Sequence, residues 1–270
     1  MSIFISNVML TCLCLSIYLI SQLQVPRDKE FVASHHYSKV EQKAMEILVQ
    51  VVEALAFMHD NHVIHRDIKP ENILLIPSAR GTVAKIGDLG SARSLGDAKQ
   101  FGLHTDLTHY VGSRWYRAPE ELGCGTDYNY PADVWSLGCT IAEFITGKAL
   151  FVGETEQDVL DVMLSYFYFS EFPPKLEATM MQRKLTVNEN LEKKSLIATL
   201  GSASGLTQTI RSMLCLNVEN RFTAHDVLRD VRELQIENRR LVESSRDESD
   251  GDHTRRGSTI SVNSETRRGL

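Results

Sequence analysis

His65-Arg66-Asp67-Ile68-Lys69-Pro70-Glu71-Asn72 (HRDIKPEN, residues 65–72) is the stretch on which the reading of this chain turns. It sits directly behind the clearest amphipathic pattern in the sequence. Val40, Ala44, Ile47, Leu48, Val51, Leu55 and Met58 recur at i, i+3, i+4 spacing and predict a helix over 39–59, closed by Asp60-Asn61. Val63-Ile64 then begins an extended stretch. On the far side, Ile73-Leu74-Leu75 and Val83-Ala84-Lys85-Ile86 predict two short strands joined through Pro77 and Gly81, and Asp88-Leu89-Gly90 follows them. Taken singly, Asp67, Asn72 and Asp88 are residue types that most often make turns and caps.

Taken together, the motifs resemble the protein-kinase signature: an H-R-D loop ending in Asn, followed by a triplet of the D-F-G type. Further landmarks stand in the same order, namely Ala118-Pro119-Glu120, the run Asp133-Val134-Trp135-Ser136-Leu137-Gly138, and Arg221. The resemblance extends over roughly residues 7–235. It implies an α+β, protein-kinase-like fold: a mainly helical carboxy-terminal lobe over 25–239, with a remnant of the amino-terminal β lobe and hinge over 1–24. The implied activity is transfer of the ATP γ-phosphate to Ser or Thr of protein substrates, with ATP and Mg2+ as cofactors. Phosphoryl transfer requires positioning and charge neutralisation more than covalent chemistry, which suits these residue types.

The resemblance assigns Asp67 to orient the acceptor hydroxyl and take its proton, and Lys69 to the γ-phosphate. It makes Asn72 and Asp88 oxygen ligands of the metal and Leu74 the apolar floor beneath adenine. Lysine two residues after the aspartate also marks serine/threonine kinases. Backbone groups at Gln22 and Gln24 would face adenine from the hinge, with Ser21 as a small gatekeeper. Glu120 and Arg221 resemble a structural ion pair tying the activation segment to the lobe, and Asp133 would brace the catalytic-loop backbone.

Thr108-His109-Tyr110-Val111-Gly112-Ser113-Arg114-Trp115-Tyr116-Arg117 resembles the activation segment of mitogen-activated kinases and the male-germ-cell-associated group, in the class that includes cyclin-dependent kinases. Thr108 and Tyr110 are thereby implied as phosphorylation sites for an upstream kinase, each phosphate adding about −2 of charge. Arg66 is the implied partner of phosphorylated Thr108, because arginine grips phosphate bidentately. Ser113 stands where the family has threonine, and Arg114 shapes a pocket for proline after the phosphoacceptor. Leu89 replaces the usual Phe and is expected to pack as an apolar equivalent.

Other features set bounds. A net charge of −6 carries no basic excess of the sort nucleic-acid binding needs. Cys12, Cys14, Cys124, Cys139 and Cys215 form no C-x-x-C pair and read as reduced thiols, which places the protein inside a cell, in cytoplasm or nucleus. The uncharged start, residues 1–20, is long enough for a membrane span, but alignment backward from His65 favours upper-lobe strands there. No glycine precedes Gly81, and Lys29 and Glu30 are the first lysine and glutamate, so the glycine loop, strand lysine and helix glutamate of a full kinase are expected to be missing. Two functions follow: a kinase, or a kinase-derived lobe acting as a protein-binding module. A polar tail over 240–270 is expected to be disordered, with Ser258 after Arg255-Arg256-Gly257 as a possible phosphosite.

Overall fold

A computed structural model describes residues 37–79, 81–94, 114–124, 129–167, 173–174, 177–178, 180, 192–201 and 203–255, with backbone alone at 123–124 and 245–255. Helix α1 (Lys39–Asp60) opens with a capping box. The Ser38 hydroxyl accepts the Glu41 N–H at 3.2 Å, while the Glu41 carboxylate accepts the Ser38 N–H at 2.9 Å. Its predicted stripe is the buried face, with Ala44, Leu48, Val51 and Leu55 wholly enclosed. His62 turns the chain with φ 58° into β1 (Val63–Ile64).

Strands β2 (Ile73–Ser78) and β3 (Gly81–Ile86) form an antiparallel hairpin, and β1 pairs with β4 (Arg93–Ser94). Pro77, expected in the turn, lies instead in the ladder opposite Thr82. It occupies an exposed strand end, where the missing N–H costs little. Gln50 ties the hairpin to α1, donating to the Thr82 carbonyl and accepting the Ala84 N–H, at 2.9 and 3.0 Å.

After α2 (Pro119–Cys124), helix α3 (Tyr130–Thr146) is the centre of the lobe. Every residue from Ala132 to Ala142 is buried, as expected of a helix surrounded on all sides. Trp135 stacks on Phe151 at 5.6 Å. Gly138 lets Met213 and Leu214 come close, since a Cβ there would lie 3.0 Å from Leu214 Cδ2 and 3.1 Å from Met213 Cβ. Gly147 ends α3 in the left-handed region, φ 72°, as expected. Helices α1, α5 (Leu196–Leu200) and α6 (Gly205–Met213) pack on α3, α7 (Ala224–Arg255) packs on α1 and α6, and α4 (Glu156–Tyr166) lies against α2.

Helix α7 corrects one expectation. The tail was expected to lose structure at 240, yet the backbone stays helical to Arg255. The buried Val227 and Val231 anchor the start of α7 in the core, and a helix already nucleated extends at small cost per residue. Composition registers the shortage of apolar residues beyond 240 but not this continuation. Residues 256–270, with Ser258, lie outside the described residues, as do residues 1–24 with Gln22 and Gln24.

Candidate active site

Buried polar residues fix the shape of the 65–72 loop. His65 is fully enclosed. Its Nδ1 accepts the Asp67 N–H at 3.3 Å, and Nε2 lies 3.0 Å from the Gly87 carbonyl. A carbonyl only accepts, so the proton sits on Nε2. From α3, the Asp133 carboxylate accepts the N–H groups of His65 and Arg66, both at 2.8 Å, and lies 3.0 Å from His59 Nε2. Those bonds hold Arg66 at φ 72°, a conformation that a non-glycine residue keeps only when its surroundings over-determine it. Asp133 thus reaches the backbone of the 65–72 loop from α3. His59 is an addition that the sequence reading missed.

Beyond Arg66 the loop presents its functional groups together. Lys69 Nζ donates to Asp67 Oδ2 at 2.7 Å. Asn72 Nδ2 donates to the same oxygen at 3.0 Å and to the Asp67 carbonyl at 2.7 Å. The main-chain carbonyl can only accept, which fixes the orientation of the Asn72 amide and leaves Oδ1 available as a ligand atom. Hairpin register brings Asp88 alongside: Ile73 pairs with Ile86, and the Gly87 N–H donates to the Asn72 carbonyl at 2.7 Å. Asp88 takes φ 54°, one carboxylate oxygen accepts the Gly90 N–H at 3.2 Å, and the side chain is exposed. Leu74 points off the core face of β2 and abuts Gly87, where a Cβ would lie 3.3 Å from it. Leu89 is 61% exposed and is not packed among the described residues, unlike the expectation for it.

The remaining sequence candidates divide. Arg221 is buried and meets Glu120 bidentately, at 2.6 and 2.9 Å. Arg114 donates to the Glu154 carbonyl at 2.8 Å beside Trp115, whose indole N–H reaches the Gly153 carbonyl at 2.9 Å. Thr108, Tyr110 and Ser113 lie outside the described residues.

One further cluster escaped the sequence reading. The Tyr116 hydroxyl donates to Glu143 Oε2 at 2.5 Å. Burial pushes the Glu143 carboxyl above its ordinary value; the Tyr116 hydrogen bond opposes this and the charge of Glu71 adds to it. Burial, reinforced by the Glu143 hydrogen bond and by the charges of Glu143 and Glu71, also drives the Tyr116 phenol far up. Glu71 was visible inside the quoted motif. Glu143 had no sequence signal, being one polar residue at the end of an apolar helix.

Comparison with known proteins agrees with this geometry. The family model for the protein kinase domain matches residues 15–231. Cyclin-dependent kinase-like 1 of Caenorhabditis elegans is 43% identical over 115 residues, covering 43% of this chain and 30% of that protein. Human mitogen-activated protein kinase 12 is 33% identical over 196 residues, covering 72% of this chain and 50% of its own length. Among solved structures, the crystal structure of the yeast RNA Pol II CTD kinase CTDK-1 complex superposes with a TM-score of 0.56 at 25% identity, over 74% of this chain and 63% of that one. The chain therefore belongs to the protein kinase family, and the relatives it resembles include kinases of the mitogen-activated and cyclin-dependent-like type. It spans half or less of the length of these curated relatives.

Proposed function

We propose that this chain transfers the γ-phosphate of ATP to serine or threonine hydroxyls of proteins, at sites followed by proline. The observation that carries this reading is the convergence on one Asp67 oxygen of Lys69 and Asn72, with Asp88 adjacent across the hairpin. In the proposed reaction Asp67 accepts the hydroxyl hydrogen as the substrate oxygen attacks the γ-phosphorus. The bond from that phosphorus to the β,γ-bridging oxygen breaks, and ADP leaves. Lys69 has three donors, so it can hold Asp67 and a γ-phosphate oxygen together.

The donor set suits a hard divalent cation. Asn72 offers an amide oxygen and Asp88 a carboxylate, the oxygen ligands that Mg2+ prefers. When bound, Mg2+ neutralises charge on the transferring phosphates. Leu74 supplies the apolar surface beneath the adenine, with hinge groups at Gln22 and Gln24 on its edge. Arg114 and Ser113 would frame the proline pocket. Phosphorylation of Thr108 and Tyr110 by an upstream kinase would order the activation segment through Arg66. The same reading puts the protein inside the cell, where ATP is abundant; no described helix is long and apolar enough to cross a membrane.

The test is γ-phosphate transfer to a Ser-Pro peptide, with a Ser-Ala peptide as control. Asp67→Asn should reduce the rate by about 10²–10⁴-fold, the range expected for losing a positioned general base. Equal background from the wild type and Asp67→Asn would remove the enzyme reading in favour of a protein-binding lobe.

A further inference from the structure

The start of α1, the start of α6 and the middle of α7 meet at Tyr37. Gly205 makes the meeting possible, since a Cβ there would strike Leu234 Cδ2 and lie 2.8 Å from the Tyr37 hydroxyl oxygen. Three carboxylates act on that hydroxyl. Burial first, then the charges of Glu237, Glu41 and Asp230, raise the Tyr37 phenol above its ordinary value, and the Gly205 N–H opposes them. No lysine or arginine among the described residues is part of that balance.

The carboxylates differ in depth. Glu237 is exposed, Asp230 is partly buried and lends an oxygen to the Thr209 hydroxyl, and Glu41 is only 6% exposed. Glu41 Oε2 closes the capping box on the Ser38 N–H at 2.9 Å, whereas Oε1 is buried with no hydrogen-bond partner. The cap needs one oxygen and leaves the other unexplained. A second such atom lies on α7: Asn238 follows, by about one turn, the Gln235 that reaches the Met45 carbonyl, and its Oδ1 is also buried without a partner. Buried acceptors without a donor are rare in folded proteins, because each has lost its water for nothing in return. Two of them where α7 crosses the start of α1, among three carboxylates, call for a donor-rich cation from outside.

We propose that Glu41, Asp230, Glu237 and the Asn238 amide form a receptor for an arginine side chain of a partner protein. No group of three or more His, Cys, Asp or Glu among the described residues is arranged to hold a metal ion, so the cation is an organic one. Arginine fits better than lysine. Its planar guanidinium carries five N–H donors and can serve Glu41 Oε1 and Asn238 Oδ1 together, and it is weakly hydrated, as a buried floor requires. An ammonium is a single, strongly hydrated point charge. Glu237 at the rim supplies the first attraction and Glu41 at the floor the charge-assisted bond. Glu41 and the catalytic loop lie at opposite ends of α1, roughly 30 Å apart by the rise of the helix. The receptor therefore stands apart from phosphate transfer and does not depend on the kinase reading.

The test titrates the full chain, labelled with 15N, with a short peptide carrying arginine between alanines and glycines. A second peptide carries citrulline, which keeps the planar shape without the charge. The amide signals of Tyr37 and Gly205 should move and saturate with the arginine peptide, and the citrulline peptide should bind about tenfold more weakly, the size expected for one charge-assisted pair. Glutamine still serves in a capping box, so Glu41→Gln keeps the Ser38 bond; it and Glu237→Gln should each weaken arginine binding by about fivefold or more. Glu237 is exposed, so its variant folds whatever the first one does. Glu219→Gln, an exposed acid outside the three helices, should leave the affinity unchanged. Absence of saturable shifts at Tyr37 and Gly205, equal binding of the citrulline peptide, or affinity that survives both variants would overturn the receptor. If the arginine peptide bound only after Arg27 and Lys29 were replaced by glutamine, the chain's own cations would hold the site and the partner reading would fall.

Discussion

Arg221 and Glu120 meet through two parallel bonds, Nη1 to Oε1 at 2.6 Å and Nη2 to Oε2 at 2.9 Å, although 101 residues separate them in sequence. The guanidinium is fully enclosed and uses its remaining donors on the carbonyls of Cys215 (2.9 Å) and Pro131 (3.1 Å), with the Trp135 ring beneath it at 5.0 Å. The pair thereby pins α2 to both α3 and the segment before α7. Removing one partner leaves a buried charge uncompensated, which costs on the order of 3–5 kcal/mol. Glu120→Gln should lower Tm by roughly 10 °C in a domain of this size. Arg221→Lys should do the same, because an ammonium cannot reproduce the fork. Calorimetry of both variants reads this directly; a shift under about 2 °C would show the pair to be energetically idle.

Asp133 acts on the site from behind. Its two oxygens accept the N–H groups of His65 and Arg66, and an asparagine there could satisfy only one while pointing its own N–H2 at the other. An orphaned buried donor costs about 1–3 kcal/mol. Asp133→Asn should therefore lose stability by that amount in urea unfolding. It should also lose phosphate transfer more than peptide binding, since Arg66 would relax from its left-handed conformation and carry Asp67 with it. Unchanged transfer at unchanged stability would mean that the loop holds its shape without this brace.

How much of this was legible beforehand depended on whether the information was local. The catalytic loop reads from eight consecutive residues, and the face of α1 reads from its own period. The Asp133 contacts and the Glu120–Arg221 pair join distant segments, and they could be named only through resemblance to a family. Glu143 was invisible. Its meaning depends on the rotational phase of α3, which brings that side chain to Tyr116, 27 residues away. The tail was misread because a composition argument treats each segment alone, whereas residues 240–255 continue a helix nucleated by Val227 and Val231 against the core.

Gly87 joins the two halves of the proposed nucleotide site. A Cβ there would lie 3.3 Å from both Leu74 Cγ and Cδ1, and 3.6 Å from the Asn72 carbonyl oxygen. The Leu74 side chain would have to give by a few tenths of an ångström, while the Asn72 carbonyl oxygen stands at ordinary contact distance. Gly87→Ala should cost about 1–3 kcal/mol of stability, as overpacking does, and weaken binding of a fluorescent ATP analogue more than binding of peptide. Equal nucleotide affinity would remove Leu74 from the adenine floor.

Glu143 predicts a pH dependence whose sign follows from its burial. Its carboxyl is raised above the ordinary value of 4.5, by burial first and by Glu71 in addition, with the Tyr116 bond opposing. The folded protein therefore holds this proton more tightly than the unfolded chain does. The stability it contributes is complete below pH 4.5 and is lost as pH rises through the elevated folded value. Glutamine carries no such proton and still accepts from Tyr116. Glu143→Gln should then match the wild type near pH 4.5 and become more stable by a few degrees in Tm toward pH 7. Thermal scans of both proteins across pH 4.5–7.5 measure the effect. A gap that stays constant with pH would mean that burial places no cost on ionising Glu143.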